Sequence, residues 1–118
     1  MKEIFESVLN ADECPIVICD LEHTVIYMNP ASTAYYGQLI GSSILECHNS
    51  KSNELIIKAV DWFKLSSNNN KVHTFYNEKQ NKDVYMIALR NQNGELIGYY
   101  EKHEYRTRDV EPFYALGE

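Results

Sequence analysis

The feature that most constrains this chain is the junction Asn29-Pro30, inside the stretch from Pro15 to Gly41, PIVICDLEHTVIYMNPASTAYYGQLIG. An apolar run ends there and a helix must begin. Proline holds φ near the helical value and has no N–H, so it suits the first helical position, where a backbone donor would go unpaired. Asparagine suits the preceding N-cap, because its side-chain oxygen accepts from an unpaired N–H of the first turn. Gly37 predicts the stop, since glycine enters the left-handed conformation without a Cβ penalty. Upstream, Ile16 to Cys19 and Val25 to Met28 are short runs of strand-favouring residues, and Asp20-Leu21-Glu22-His23 supplies the polar turn between them.

The remainder of the chain changes period twice. The first ten residues place Ile4, Phe5, Val8 and Leu9 on one side of a short amphipathic helix. Gly41-Ser42-Ser43 restarts the chain into a helical turn carrying Ile44, Leu45 and Cys47, and Asn49-Ser50-Lys51-Ser52-Asn53 offers several N-caps before Glu54. From Glu54 to Leu65 the residues Leu55, Ile56, Ala59, Val60, Trp62 and Phe63 recur at three and four, which predicts the longest helix. Beyond the polar loop Ser66 to Asn70, Val72 to Tyr76, Val84 to Leu89 and Leu96 to Tyr105 predict three strands, the last two joined through Asn91-Gln92-Asn93-Gly94. Two strands, then helices, then three strands predict an α+β fold, one antiparallel sheet covered on one face.

A chain of 118 residues is expected to form a single domain spanning 1–118. Its expected parts are a flanking helix over 1–12, a core over 15–106 and a tail over 107–118. The net charge of -6, with no basic cluster, argues against nucleic acid as a partner, which requires phosphates to be neutralised by Lys and Arg. Glu3 and Glu6 interrupt the N-terminus where a secretory signal needs an unbroken apolar run, and no run approaches the length that spans a bilayer. The expectation is a cytoplasmic protein without a membrane partner. Cys14, Cys19 and Cys47 are three in number and in no paired spacing, which predicts reduced thiols.

Asn29-Pro30-Ala31, Leu39-Ile40-Gly41-Ser42-Ser43 and Gly94-Glu95-Leu96-Ile97-Gly98 resemble the helix entry, the Gly-Ser step and the final hairpin of PAS domains, over nearly the whole chain. Cys47-His48-Asn49-Ser50-Lys51-Ser52 and Gly98-Tyr99-Tyr100-Glu101 are similar to elements of a PAS subgroup found in bacterial proteins with hemerythrin-like or DUF438 regions. Asn49 stands where that subgroup has proline, and Tyr105-Arg106-Thr107 replaces the usual Asp-Ile-Thr ending. The resemblance implies a five-stranded antiparallel sheet of order 2-1-5-4-3, helices packed on one face, an N-terminal flanking helix, and a ligand pocket between sheet and helices. It implies a role in signal transduction.

The expected ligand pocket comprises Tyr27, Tyr36, Cys47, His48, Phe63, Tyr85, Ile87, Tyr99 and Glu101. Nine tyrosines supply aromatic bodies with polar tips, which suit both core and pocket. Tyr85, Ile87 and Leu89 share one face of their strand, opposite Val84, Met86 and Ala88. Both faces are apolar, so the pattern alone leaves the inward face open and hints at a sheet covered on both sides. Cys47-His48 joins two metal-ligand types, and either could be an axial haem ligand; the plainer reading is a buried thiol beside a turn-capping histidine. His73 and His103 lie on predicted strands and could converge on them. Adjacent helical residues do not face one another, so Cys47 and His48 are poor as nucleophile and base, and no enzyme is expected. Glu46-Cys47-His48-Asn49 lacks the Asn-Cys-Arg-Phe-Leu-Gln signature of light-oxygen-voltage photosensors, which argues against flavin; haem or a small metabolite is the cofactor class left open. The leading expectation is a sensory ligand-binding module acting through a partner protein, homodimeric through Ile4, Phe5, Val8 and Leu9 of the N-terminal helix packing on outward residues of the sheet. The rivals are a structural dimerisation module with a filled core, and a haem or redox sensor using His48 or Cys47.

Overall fold

The computed structural model describes residues 1–117, so only the final residue of the expected tail lies outside it. The elements run α1 (Lys2–Ala11), β1 (Ile16–Cys19), β2 (Val25–Met28), α2 (Pro30–Tyr36), a 3-10 turn (Ile44–Cys47), α3 (Ser50–Leu65), β3 (Lys71–Asn77), β4 (Lys82–Arg90) and β5 (Leu96–Tyr105). The five strands form one antiparallel sheet in the order β2-β1-β5-β4-β3.

The first half follows from side chains that replace missing backbone partners. Asp20 Oδ1 accepts from Glu22 N at 2.9 Å and Thr24 N at 3.0 Å, closing the β1–β2 turn. Asn29 caps α2 through Ser32 N at 3.0 Å, with Pro30 as the first helical residue. Gly37 ends α2 at φ 81°, ψ 178°, which is not the left-handed helical basin expected but an extended mirror region open in practice to glycine alone. Of the several caps available to α3, Asn49 is the one used. Its Oδ1 accepts from Ser52 N at 2.8 Å, and the helix therefore starts at Ser50, one turn before the predicted Glu54.

The core lies between α3 and the inner sheet face, where Val17, Cys19, Val25, Met28, Ile44, Ala59, Val60, Phe63, Met86 and Tyr99 pack together. Strand pairing settles the face of β4 that alternation left open. Met86 is paired with Glu101 and Val72 on the inner side, and Tyr85 with Lys102 and His73 on the outer side. Around Tyr85 the outer face gains its cover from long side chains. Lys71 Nζ lies 4.2 Å from the Tyr85 ring centre, the His73 ring lies 5.0 Å from it, and Arg106 Nη2 donates to the Tyr85 hydroxyl at 2.6 Å. Tyr85 is thereby buried by side chains from β3 and from the chain beyond β5.

The N-terminal helix flanks this assembly without burying any residue of its own. Ile4, Phe5 and Val8 remain exposed, while the helix is anchored at its far end by Asn29 Nδ2 donating to Leu9 O at 3.0 Å. Among the described residues no helix is long and apolar enough to cross a membrane.

Candidate functional site

Between α3 and the inner face of β3, β4 and β5 the side chains leave a cavity of about 890 Å³. Its floor is apolar, formed by Ile44, Ile56, Ala59, Val72, Val84 and Met86. Leu55 and Trp62 of α3 and Phe75 of β3 also line the cavity and are exposed. Polar groups line it too: Tyr36 from α2, His48 after the 3-10 turn, Lys82 from β4, and Tyr99, Glu101 and His103 from β5.

Alternation along β5 sends Tyr99, Glu101 and His103 inward as a column. The Tyr36 hydroxyl donates to Glu101 Oε1 at 2.8 Å, and His103 Nε2 donates to the same oxygen at 3.0 Å. Burial alone pushes the Glu101 carboxyl up, but the bond from His103, its charge and the Tyr36 hydroxyl outweigh that effect and hold the carboxyl below its ordinary range. The Tyr36 hydroxyl is pushed well up, first by burial and then by the adjoining carboxylate, so it stays a proton donor. Deeper in, the Tyr99 hydroxyl meets His23 Nδ1 at 2.7 Å, and burial raises it too. Cys19 lies beneath it, its thiol pushed up to about 12 chiefly by burial, which leaves it an inert core residue.

His48 Nδ1 lies 2.8 Å from the Ile44 carbonyl, which can only accept, so that nitrogen carries a proton, and in the neutral ring Nε2 is the one with the lone pair. Cys47 is exposed and borders a separate recess of about 50 Å³ beside Val17, Tyr36 and Leu39. Lys82 is 1 % exposed, yet its Nζ has no hydrogen-bond partner. Its ammonium lies 3.9 Å from the Tyr35 ring centre and 5.6 Å from that of Tyr105. His103 Nδ1 is likewise buried without a partner.

Of the residues expected to form a pocket, the structure brings Tyr36, His48, Tyr99 and Glu101 to the cavity. Phe63 is fully buried in the core behind it. Tyr85 and Ile87 fall on the outer face by the parity of β4, and Tyr27 reaches out from β2 to hydrogen-bond Asn10 of α1. Cys47 sits at the recess only. His73 and His103 do not converge: His73 turns to the outer face and meets Asp83 at 2.8 Å, while His103 faces inward. Among the described residues no group of three or more His, Cys, Asp or Glu side chains is placed to hold a metal ion. Lys82, His103 and Tyr35 were absent from the expected set. The spacing of Lys82 from Val84 and Met86 was the available signal, because residues two apart on a strand share a face.

No family model matches this sequence, and no curated protein matches it. In structure the chain is similar to a C-terminal domain from Streptococcus mutans, at 20% identity and a TM-score of 0.71 over 88% of this chain and 84% of that one. It is similar to the PAS domain of a protein from Colwellia psychrerythraea, at 18% identity and a TM-score of 0.67 over 88% of this chain and 95% of that one. A sensory box sensor histidine kinase structure from Vibrio cholerae matches at 10% identity and a TM-score of 0.60, over 87% of each chain. At these identities the likeness establishes a shared fold, the PAS fold.

Proposed function

We propose that this PAS-fold domain is a sensory module that binds a small molecule in the cavity and passes its occupancy to a partner protein. The observation that carries this reading is the cavity itself: a space of about 890 Å³ with an apolar floor, lined also by polar groups from α2, β4, β5 and the segment after the 3-10 turn. A space of that size argues against the rival reading of a filled core. The neighbour from Vibrio cholerae, a sensor histidine kinase, supports signalling by analogy of fold. A ligand that differs in affinity between two packings of α2 and α3 would shift their populations. The exposed Ile4, Phe5 and Val8 of α1 support a homodimer as the route by which that shift leaves the domain. Native mass spectrometry of the purified protein tests the ligand. A co-purified small molecule is expected, and a mass equal to the bare chain, with no melting-temperature rise across haem, flavin and metabolite panels, would refute the reading.

The second reading, a haem sensor, is favoured by one observation, the free Nε2 of His48 at the cavity edge with its other nitrogen held by Ile44 O. Haem added to the protein would then give a Soret band that His48→Ala abolishes. A colourless protein in the presence of haem ends that reading.

A further inference from the structure

We propose that the cavity takes an amphiphilic organic anion, its carboxylate on the Lys82 ammonium and its apolar body along Ile44, Ala59, Val84 and Met86. The inference rests on the cavity being a ligand site, and it names the class of ligand.

Lysine is almost never fully buried without a partner. Lys82 stands at the first position of β4, and its pairing with Tyr105 sets it on the inward column of the sheet. Every acid near it in the fold is already engaged. Glu101 accepts from Tyr36 and His103; Asp83 is held on the outer face by Arg106 at 2.7 Å and His73 at 2.8 Å; Glu104 is held by Lys102 at 3.1 Å and Arg106 at 2.9 Å. The ammonium is left with the face of Tyr35 and, farther off, that of Tyr105, while His103 Nδ1 on the neighbouring strand is also without a partner.

Tyr35 is the movable part of this arrangement. Its ring covers the Lys82 ammonium and also lies 5.4 Å from the His103 ring, but the residue is 45 % exposed at the end of the short helix α2. Rotation of that one side chain opens Lys82 Nζ and His103 Nδ1 together to the cavity. A carboxylate arriving there gives the ammonium the acceptor it lacks, and Nδ1 donates to it as well when the His103 ring carries a second proton beside the one Nε2 gives Glu101.

Charge around the cavity points the same way. The whole chain carries 17 acids against 11 Lys and Arg, yet the cavity lining includes Lys58 and Lys82 with Glu101 as the one acid, the Lys71 ammonium being turned to the outer face. Such a cavity concentrates anions against the sign of the molecule as a whole. The apolar floor requires that the anion also carry a hydrocarbon or aromatic body.

Octanoate, octanol and octylamine, titrated calorimetrically into the full chain, share one tail and differ in head group. Octanoate is expected to bind about tenfold more tightly than octanol, and octylamine more weakly than either. Lys82→Met removes the charge while keeping an apolar stem, and is expected to bring octanoate down to octanol with octanol itself unchanged. Equal binding of octanoate and octanol to the wild type, which needs no variant, overturns the anion assignment and leaves a ligand cavity standing. So does a preference for octanoate that survives Lys82→Met. Failure of all three compounds to bind also overturns the assignment, and native mass spectrometry then decides separately whether the cavity holds any ligand.

Discussion

Asn29 is the residue on which the fold's first half turns, and Asn29→Asp separates its two functions. The side chain is 0 % exposed. Its oxygen accepts from Ile16 N at 2.9 Å and Ser32 N at 3.0 Å, and its amide nitrogen donates to Cys14 O at 2.9 Å and Leu9 O at 3.0 Å, with Asp12 O at 3.3 Å. One amide thus joins the end of α1, the loop before β1, β1 itself and the cap of α2. Replacement by aspartate keeps the acceptor and removes both donors, setting a carboxylate against three carbonyl oxygens. Each buried acceptor left unpaired costs about 1 to 3 kcal/mol, so a loss of about 3 kcal/mol is expected at neutral pH, with Leu9 and Asp12 recovering part through water. That is a large share of the roughly 5 to 15 kcal/mol that holds a domain together.

The sign with pH is fixed by the same geometry. A carboxyl facing carbonyls in the folded state binds its proton more tightly there than in the unfolded chain, where it titrates near about 3.9. Its folded pKa is raised, so the variant is most stable below the unfolded value and loses stability as pH rises through the folded one. Asn29→Ala, which introduces no charge, should cost about 3 to 5 kcal/mol with no such dependence. Urea denaturation of the wild type and both variants at about pH 4 and about pH 8 measures the difference. A penalty for Asn29→Asp below about 1 kcal/mol, or the same at both pH values, would refute the account of Asn29 as a donor to buried carbonyls.

Three further expectations follow from the packing. Arg90 gathers the end of α3, its guanidinium donating to Phe63 O at 2.7 Å, Ser66 O at 3.0 Å, Asn69 O at 3.1 Å, Gly94 O at 3.1 Å and Asn70 Oδ1 at 2.7 Å. Lysine cannot span that fork, so Arg90→Lys should cost about 2 kcal/mol and speed amide exchange in the last turn of α3; unchanged exchange there speaks against the clasp. Gly98 lies where β5 passes β1, and a Cβ added there would stand 2.6 Å from the Cys19 carbonyl oxygen. Gly98→Ala must part the two strands, at about 2 kcal/mol, and a melting temperature equal to the wild type's would show that the strands give way freely. Glu101 is held below its ordinary value of 4.5, so its contribution is present above that value and lost as pH falls below it. Glu101→Gln should flatten the acid limb of the stability curve, and a limb as steep as the wild type's would place the titrating group elsewhere.

What could be read along the chain, and what could not, divides by the range of the interaction. The caps at Asn29 and Asn49, the turn at Asp20 and the alternation of β5 are set by residues within a few positions of one another, and each carries its signal locally. Even there competition blurs the bounds: Ser50, Ser52 and Asn53 could also cap α3, and the choice of Asn49 is helped by Asn53 Nδ2 reaching back to Leu45 O at 2.8 Å. The face of β4 was not local information. Tyr85 and Met86 are comparable in apolar character, and what decides between them is that Lys71, His73 and Arg106 arrive from β3 and the chain beyond β5 to cover the tyrosine.

The same reason explains which site residues were hidden. Tyr36 and Glu101 are 65 positions apart and meet only because β5 is inserted between β1 and β4. Lys82 carried a partial signal, since its parity with Val84 and Met86 predicts an inward lysine once either neighbour is known to face the core. Its lack of a partner is a property of where Glu101, Asp83 and Glu104 spend their charge, and those commitments are made across strands. Alternation along a strand can place a charge on a face, but only the assembled sheet determines whether that charge is already neutralised. That is why the cavity's anion preference, rather than its existence, is the part of this reading that a head-group series tests most sharply.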